Sequence, residues 1–511
     1  MLDVLPPPPI SHHPSNSMWV DEQIWGHRLW DSTSPWLIFL EFLGVAEARD
    51  REGRLLDDGG RPYPLAFKPA RRMYARNLLY NNESLSRVAA EGLADIAAWD
   101  KWLPLMARSA QGIPKSDFAY LRSRFGSFRD FAALIDMLRS STIENGTNKR
   151  WSSRFVFPFG RHALYEDLNV RNGSSAREYI NFGLPGELVY QMICRTPAAG
   201  ELRRHLSAAL DGDPCDALMS LLEPEYEEDR ETRGNSYLPY ASHPSFDCLA
   251  QDWLALFERA LPRFDSYPHL ARLGALHLLK YQLDIGAEVA GDRPPFLICE
   301  IVAPRRTPVR ELSISSFQRN DALPQRAVEA YICAIASSPE WAAALAGDAP
   351  FQDCRAAMIE RFRWPDEDDY TGPQEPSELL ASLRRAAVAR HRQHVANVHR
   401  SYGAGAGLVS RRGTTQLRYA PSDGLLKTLI LANVPVRMNY AEFLELLFER
   451  YGLVIGDREA ARVLPSDDFD RKSFQNNSTR LQRRLRTLGM LRRLSDACAY
   501  VENPIARSTS R

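Results

Sequence analysis

The sequence predicts a mainly α-helical protein of the α+β class, built from several domains with only a small β element. Apolar residues recur at helical spacing over most of the chain, as they do over residues 327–345. Residues 294–302 (PPFLICEIV) form the clearest strand, a nearly continuous apolar run that is typical of a buried strand. A length of 511 residues, 44% of them hydrophobic and 25% charged, provides apolar surface for more than one core.

Opposite charges are concentrated in different parts of the chain, although the formal net charge is zero. From residue 381 onward there are 23 Lys and Arg against 11 Asp and Glu, which leaves 41 and 53 in the first 380 residues. A basic end on an acidic body favours contact of the end with a polyanion and of the body with protein.

Cysteine usage and hydropathy predict a cytoplasmic protein with no membrane contact. No two cysteines have zinc-knuckle or thioredoxin-type spacing, and their odd number favours reduced thiols. No apolar run approaches the roughly 20 residues of a membrane span, and the proline-rich start lacks the features of a signal peptide.

The body is predicted to extend over residues 18–364, after a Pro- and Ser-rich start (1–17) that is expected to be disordered. It opens with a tryptophan-rich segment, in which residues 21–30 form a helix. Ser34 and Pro35 then provide an N-cap and a first-turn proline for a second helix. A small sheet is expected near residues 294–317, with residues 310–317 pairing with the buried strand.

Four segments are predicted to follow the body. The acidic, proline-containing residues 365–376 form a linker, and residues 377–420 form a basic helix and a glycine-rich loop. The glycines at 403–407 are interpreted as flexible linker, because a phosphate-binding loop needs a preceding strand and a following Gly-Lys-Ser/Thr. Residues 421–504 form a compact domain, and residues 505–511 form a tail.

The compact domain has the element order of a winged helix. Two apolar helices precede a third helix, in which Phe474, Leu481, Leu485 and Leu488 form a buried stripe. Residues 491–501 then predict a β-hairpin that turns at Ser495 and Asp496. Helix, helix, basic helix and hairpin is the order of a helix-turn-helix relative with a β wing.

The third helix and the hairpin are the predicted nucleic-acid-binding site. There is no Asp or Glu from residue 471 to residue 493. The arginines of the third helix are expected to neutralise phosphates, and its asparagines are expected to contact base edges. The alternative is a protein partner, because many winged helices bind proteins and the arginines can pair with the acidic body. The predicted site residues are Arg471, Lys472, Asn476, Asn477, Arg480, Arg483, Arg484, Arg486, Arg492 and Arg493.

Catalytic and metal-binding patterns are weak, so no enzyme activity, metal or cofactor is expected. Glu300, beside Asp284 or Asp292, suggests a PD-(D/E)xK nuclease, but Val302 occupies the position of the required lysine. His391, His394 and His399 are interpreted as part of a solvated basic helix rather than as zinc ligands. His277 is predicted to be a hydrogen-bonded core histidine. Basic and aromatic residues alternate over residues 140–161, which fits either a packed strand or a single-strand contact.

Several segments resemble subunits encoded in bacterial defence islands. They are residues 21–45 (DEQIWGHRLWDSTSPWLIFLEFLGV), 420–434 (APSDGLLKTLILANV), 442–456 (EFLELLFERYGLVIG) and 484–504 (RLRTLGMLRRLSDACAYVENP). The chain resembles accessory proteins of methylation-associated anti-phage defence systems and of DNA-phosphorothioate-dependent restriction. These segments contain no catalytic motif, so they carry over no active residues. The resemblance implies a non-enzymatic partner of an ATPase, nuclease or methyltransferase that acts on foreign DNA, with the tryptophan-rich start as a docking surface.

The expected function is therefore a DNA-binding or adaptor subunit of a multi-protein bacterial defence complex, which contacts DNA through its C-terminal winged helix. Two alternatives remain at this point. One is a metal-dependent nuclease centred on Glu300, and the other is a scaffold that binds only protein.

Overall fold

The computed structural model describes residues 3–8, 19–26, 29–31, 33–57, 65–113, 116–140, 160–163, 168–171, 174–177, 185–211, 213–225, 232–362, 372–412, 415–467, 469–495 and 498–505. Over these residues the protein is mainly α-helical with short strands, which confirms the predicted fold class. Most of the predicted linker and residues 141–159 lie outside the described ranges.

The elements of the body follow one another in a largely helical order. They are α1 (Trp19–Trp25), α2 (Pro35–Arg51), β1 (Leu65–Phe67), α3 (Met73–Tyr80), α4 (Ser84–Ala90), α5 (Asp95–Ser109), α6 (Tyr120–Arg124), α7 (Phe128–Ser140), β2 (Leu168–Arg171), β3 (Ser174–Arg177), α8 (Pro185–Cys194), α9 (Ala199–Leu210), α10 (Pro214–Ser220), β4 (Arg233–Ser236), α11 (Pro244–Glu258), α12 (Arg263–Ala290), β5 (Leu297–Ile298), α13 (Pro308–Asp321), α14 (Leu323–Cys333), α15 (Pro339–Leu345) and α16 (Pro350–Phe362).

The C-terminal elements complete the chain. They are α17 (Pro376–His394), α18 (Val398–Ala406), β6 (Val409–Ser410), β7 (Arg418–Tyr419), α19 (Asp423–Asn433), β8 (Arg437–Asn439), α20 (Tyr440–Tyr451), β9 (Leu453–Val454), α21 (Asp457–Val463), α22 (Arg471–Thr487), β10 (Leu491–Arg493) and β11 (Ala499–Glu502).

Helix α12 is the centre of the main core. It has 28 residues and packs against α2, α11, α14, α18 and α19. Leu270, Leu273, Leu276 and Leu279 are buried, and apolar residues all round a helix indicate an interior position. Gly291 ends the helix with φ +69°, a left-handed conformation that favours glycine.

The tryptophan-rich start belongs to this core. The predicted N-cap is confirmed, because the Ser34 hydroxyl accepts a hydrogen bond from the Leu37 amide at 3.2 Å and Pro35 occupies the first turn of α2. Trp25 is buried, and its ring N–H donates to the Gln282 carbonyl of α12 at 3.0 Å. Of the proline-rich segment before it, residues 3–8 are described, and Val4 pairs there with Tyr240 in a β-bridge.

Helices α3 to α7 enclose a second, smaller core. Trp99 and Trp102 of α5 lie against Phe128 and Phe131 of α7, with ring centroids 5.0 to 5.9 Å apart. Aromatic pairs in edge-to-face and tilted arrangements contribute beyond the area that they bury.

The β element differs from the prediction. Strand β5 has two residues and pairs in parallel with β9, so that Leu297 lies opposite Leu453 and Ile298 opposite Val454. Residues 310–317 belong to helix α13 rather than to a partner strand. The physical reason is local: the Thr307 hydroxyl accepts from the Arg310 amide at 3.2 Å, and Pro308 occupies the first turn.

The glycine-rich segment is helical, so the flexible-linker prediction is wrong for residues 403–406. They belong to α18, which ends at Gly407 with φ +80°. A Cβ atom on Gly403 would lie 2.5 Å from Val409 Cγ2 and 3.1 Å from Leu279 Cδ1. Glycine is present there because two elements approach closely, and not because the chain is flexible.

The C-terminal unit combines α19, α20, α21 and α22 with a three-stranded antiparallel sheet. The strand order is β10–β11–β8, with Leu491 opposite Val501 and Tyr500 opposite Asn439. The unit is fastened to the body at several points. Arg450 and Tyr451 of α20 both bond to Asp252 of α11, at 2.5 and 2.6 Å.

Candidate nucleic-acid interface

Helix α22 begins at a polar cap and has one apolar face. The Asp470 carboxylate accepts a hydrogen bond from the Lys472 amide at 3.1 Å. Phe474, Leu481 and Leu485 are buried, as the helical spacing predicts, whereas Leu488 is only partly buried. This apolar face holds the helix against the sheet and the body and turns the opposite face outward.

The outward face of α22 carries a stripe of basic and short polar side chains, which are exposed to solvent. They lie three or four residues apart, which is the spacing of one helix face. We call this set the α22 stripe: Lys472, Asn476, Thr479, Arg483 and Arg486.

Some of the predicted arginines already bond to neighbouring groups of the protein. Arg471 Nε lies 3.1 Å from Asp457. Arg484 Nε lies 2.5 Å from Asp423, and its Nη1 donates to the Pro421 carbonyl at 2.9 Å. Arg493 of β10 donates to the Ser495 carbonyl at 3.1 Å. These groups are less available to an anionic partner than unpaired ones.

Other predicted cations carry no such pair. Among the residues that the structure describes, Lys472, Arg483, Arg486 and Arg492 have neither a side-chain hydrogen bond nor an ion pair. Arg480 is half-buried, and its Nη1 is buried without a hydrogen-bond partner. Unpaired exposed cations retain their full charge for a partner, subject to screening by salt.

Asn477 does not fit the predicted base contact. Its side chain is fully buried and forms three hydrogen bonds with backbone groups. Its Oδ1 accepts from the Ile301 amide at 2.8 Å, and its Nδ2 donates to the carbonyls of Cys299 at 2.9 Å and Ile455 at 3.0 Å. Asn477 therefore joins α22 to the body, while Asn476 remains on the exposed face.

A polar cleft of about 210 Å³ lies between α22, the start of α20 and the β10–β11 hairpin. Its lining includes Ser478, Gln482 and Arg493. Glu459, at one wall, accepts from the Gly456 amide at 3.1 Å, and burial raises the pKa of its carboxyl group. The cleft places hydrogen-bonding groups beside the α22 stripe.

The geometry does not support the alternative of a nuclease centre at Glu300. Glu300 is fully buried, and it bonds to Arg310 at 2.9 Å and to Arg418. Asp284 pairs with Lys280 at 2.6 Å, and Asp292 pairs with Arg326. Both carboxylate oxygens of Glu300 are therefore already paired with a guanidinium group. Within the described ranges, no three His, Cys, Asp or Glu side chains are grouped to hold one.

The histidines are structural, and two of them are not solvated as predicted. His391 is buried, with Nδ1 2.7 Å from Asp21 of α1. His399 is buried between Asp321 at 3.2 Å and the Tyr419 hydroxyl at 2.8 Å, and burial lowers its pKa. His277 is the predicted core histidine, with Nε2 2.7 Å from Asp252.

None of the helices in the described residues has the length and apolar character to cross a membrane. Searches of curated proteins and of solved structures found no match to this chain. A family comparison did find one, and it covers α17 to β11, including the whole α22 stripe. Residues 373–502 match the family of the methylation-associated defense system protein MAD7, which confirms the resemblance of this chain to components of methylation-associated bacterial anti-phage defence.

Proposed function

We propose that this protein is a non-catalytic DNA-binding or adaptor subunit of a methylation-associated defence complex, and that it contacts duplex DNA through α22 and the β10–β11 hairpin. The observation that carries the proposal is the α22 stripe, whose Lys472, Arg483 and Arg486 have no ion pair among the described residues. Exposed cations along one helix face are complementary to the phosphates of a duplex.

The element order of the C-terminal unit supports a winged-helix interpretation. Helix α19, strand β8 and helices α20 and α22 precede the β10–β11 hairpin, with β9 and the short helix α21 inserted between α20 and α22, and β11 lies between β10 and β8. In winged helices the last helix enters the major groove and the hairpin forms the wing. Here that would place Asn476 and Thr479 at base edges, Arg483 and Arg486 at phosphates, and Arg492 beside a neighbouring phosphate.

Charge reversal on the α22 stripe tests the proposal. We expect Arg483→Glu with Arg486→Glu to weaken duplex binding roughly tenfold or more and to reduce the salt slope by about two, because two phosphate contacts are lost. The measurement is fluorescence anisotropy of the full-length protein with labelled duplex between 50 and 200 mM salt. The matched control is Arg87→Glu with Arg129→Glu, two exposed arginines of α4 and α7.

An unchanged affinity and salt slope in the Arg483→Glu, Arg486→Glu variant would rule out DNA contact by α22. Stable capture of another subunit of the complex, with no retention of duplex at 50 mM salt, would instead favour the protein-binding scaffold. The observation that favours this alternative is Leu494 at the hairpin, an apolar side chain that is 60% exposed.

A further inference from the structure

One loop outside the C-terminal unit bonds directly to α22, and a second loop is linked to the first through Glu300. The first is residues 299–307 between β5 and α13, where the Ile301 amide donates to Asn477 of α22 at 2.8 Å. The second is the β6–β7 hairpin, in which Arg418 donates to the Arg412 carbonyl at 2.7 Å. Arg418 also bonds to Glu300. A chain of contacts through Glu300 and Ile301 thus brings the hairpin and the first loop to the same corner of the molecule as α22.

This corner has more cations than carboxylates among the described residues. Glu300 is shared by Arg310 and Arg418, and it is fully buried. Glu311 is held by both Nε and Nη2 of Arg306, at 2.6 and 2.7 Å. Asp423 pairs with Arg484. The nearby carboxylates are therefore already occupied.

Three arginines remain exposed at this corner. Arg305 extends from the first loop, and Arg411 and Arg412 extend from the β6–β7 hairpin. None of the three has a side-chain hydrogen bond or ion pair within the part of the chain that the structure describes. The hairpin is also held in place, because Arg418 fixes its backbone and the Ala420 amide donates to the Leu408 carbonyl at 2.7 Å.

We infer that Arg305, Arg411 and Arg412 form a second phosphate-binding segment beside α22, so that a duplex bound at α22 continues over the body of the protein. This inference rests on the proposed function and extends its site beyond the C-terminal unit. The partner that fits is duplex DNA, because its phosphates continue on both sides of the major-groove segment occupied by one helix. Because the Arg412 carbonyl is held by Arg418, the side chain of Arg412 can contact such a phosphate at a smaller entropic cost.

The experiment compares two duplex lengths, about 10 and about 20 base pairs, which correspond to one and two helical turns. The full-length protein is measured by anisotropy as wild type, as Arg411→Glu with Arg412→Glu, and as Arg483→Glu with Arg486→Glu. We expect the hairpin variant to bind the long duplex roughly tenfold more weakly, with a salt slope lower by about two, and to bind the short duplex within about twofold of wild type. The α22 variant loses affinity for both lengths.

The outcomes separate the two proposals. If the hairpin variant binds the long duplex as wild type does while the α22 variant is weakened, the second segment is wrong and the DNA-binding function stands. If the hairpin variant loses the same affinity for the short and the long duplex, the inference that a longer duplex reaches the hairpin is wrong. If the wild type binds neither duplex, both proposals fail. Arg411→Ala with Arg412→Ala is compared with the wild type by circular dichroism and by binding, to check that a loss of affinity does not arise from misfolding. Arg87→Glu with Arg129→Glu controls for the change in net charge.

Discussion

At the scale of single residues, adjacent asparagines on α22 have opposite roles. Asn476 is exposed on the α22 stripe, whereas Asn477 is buried and bonds to Ile301, Cys299 and Ile455. A helix turns by about 100° per residue, so neighbours in sequence face different surroundings. The sequence showed both as short polar residues on a basic helix, but it contained no sign of the backbone groups that Asn477 satisfies, because these lie 22 to 178 residues away.

This contrast gives a stability prediction. Asn477→Leu leaves one amide and two carbonyls of the buried backbone without partners, and we expect it to lower the free energy of unfolding by about 2–4 kcal/mol. The measurement is urea unfolding followed by tryptophan fluorescence. The control is Asn476→Leu, which we expect to change stability by less than about 0.5 kcal/mol. Equal midpoints for Asn477→Leu and the wild type would show that these hydrogen bonds are not important for stability.

At the scale of elements, local signals in the sequence predicted helix starts well and packing poorly. Ser34 with Pro35 marked the start of α2, and the apolar stripe of α22 was largely correct. Residues 310–317 were wrongly predicted as a strand, because their short alternating pattern also fits a helix whose buried face includes serines such as Ser313 and Ser316. The Thr307 cap favours the helix over the strand, but the sequence alone did not show that Thr307 is an N-cap.

Two glycines in equivalent helix positions show how packing overrides propensity. Gly186 is the second residue of α8, and Gly200 is the second residue of α9. A Cβ on Gly186 would lie 2.3 Å from Glu41 Cβ and 2.5 Å from the Ile38 carbonyl oxygen of α2, whereas nothing lies within 4 Å of a Cβ on Gly200. The α2–α8 contact therefore requires glycine at one position and tolerates alanine at the other.

We expect Gly186→Ala to destabilise the protein by about 1–3 kcal/mol or more, because the two backbones must separate. Gly200→Ala should be neutral or stabilising by up to about 1 kcal/mol, because alanine is the better helix former. Thermal unfolding monitored by circular dichroism distinguishes the two variants. A stabilised Gly186→Ala would mean that α2 and α8 are not in such close contact.

At the scale of the whole molecule, the charge asymmetry in the sequence has a structural counterpart. The excess of basic residues after residue 381 includes the α22 stripe and the arginines of the β6–β7 hairpin. However, the sequence did not indicate that residues of the body hold these basic segments in place. Glu300 was interpreted as a possible catalytic group, but its contacts with Arg310 and Arg418 tie the β5–α13 loop to the hairpin. The contact with Arg418 joins residues 118 apart in the sequence, which no local pattern reveals.

Because of these contacts, the segment that matches the defence family is not expected to fold alone. Residues 373–502 lack β5, which pairs with β9, and they lack Ile298 and Val309, which form a small core with Val454 and Phe474. They also lack Asp252. Burial opposes ionisation of this group, but the hydrogen bond from His277, the charge of Arg450 and the hydrogen bond from Tyr451 outweigh it and hold its pKa below the ordinary value.

We therefore expect a 373–502 fragment to unfold without a cooperative transition and to bind a hydrophobic dye, because the apolar face of α19 that packs on α11 and α12 becomes exposed. Co-expression with residues 1–372 should restore a cooperative transition, because it returns β5, Asp252 and the missing core residues. Calorimetry and amide-exchange protection measure the difference. A fragment that melts cooperatively with protected amides would show that the C-terminal unit folds independently of the body.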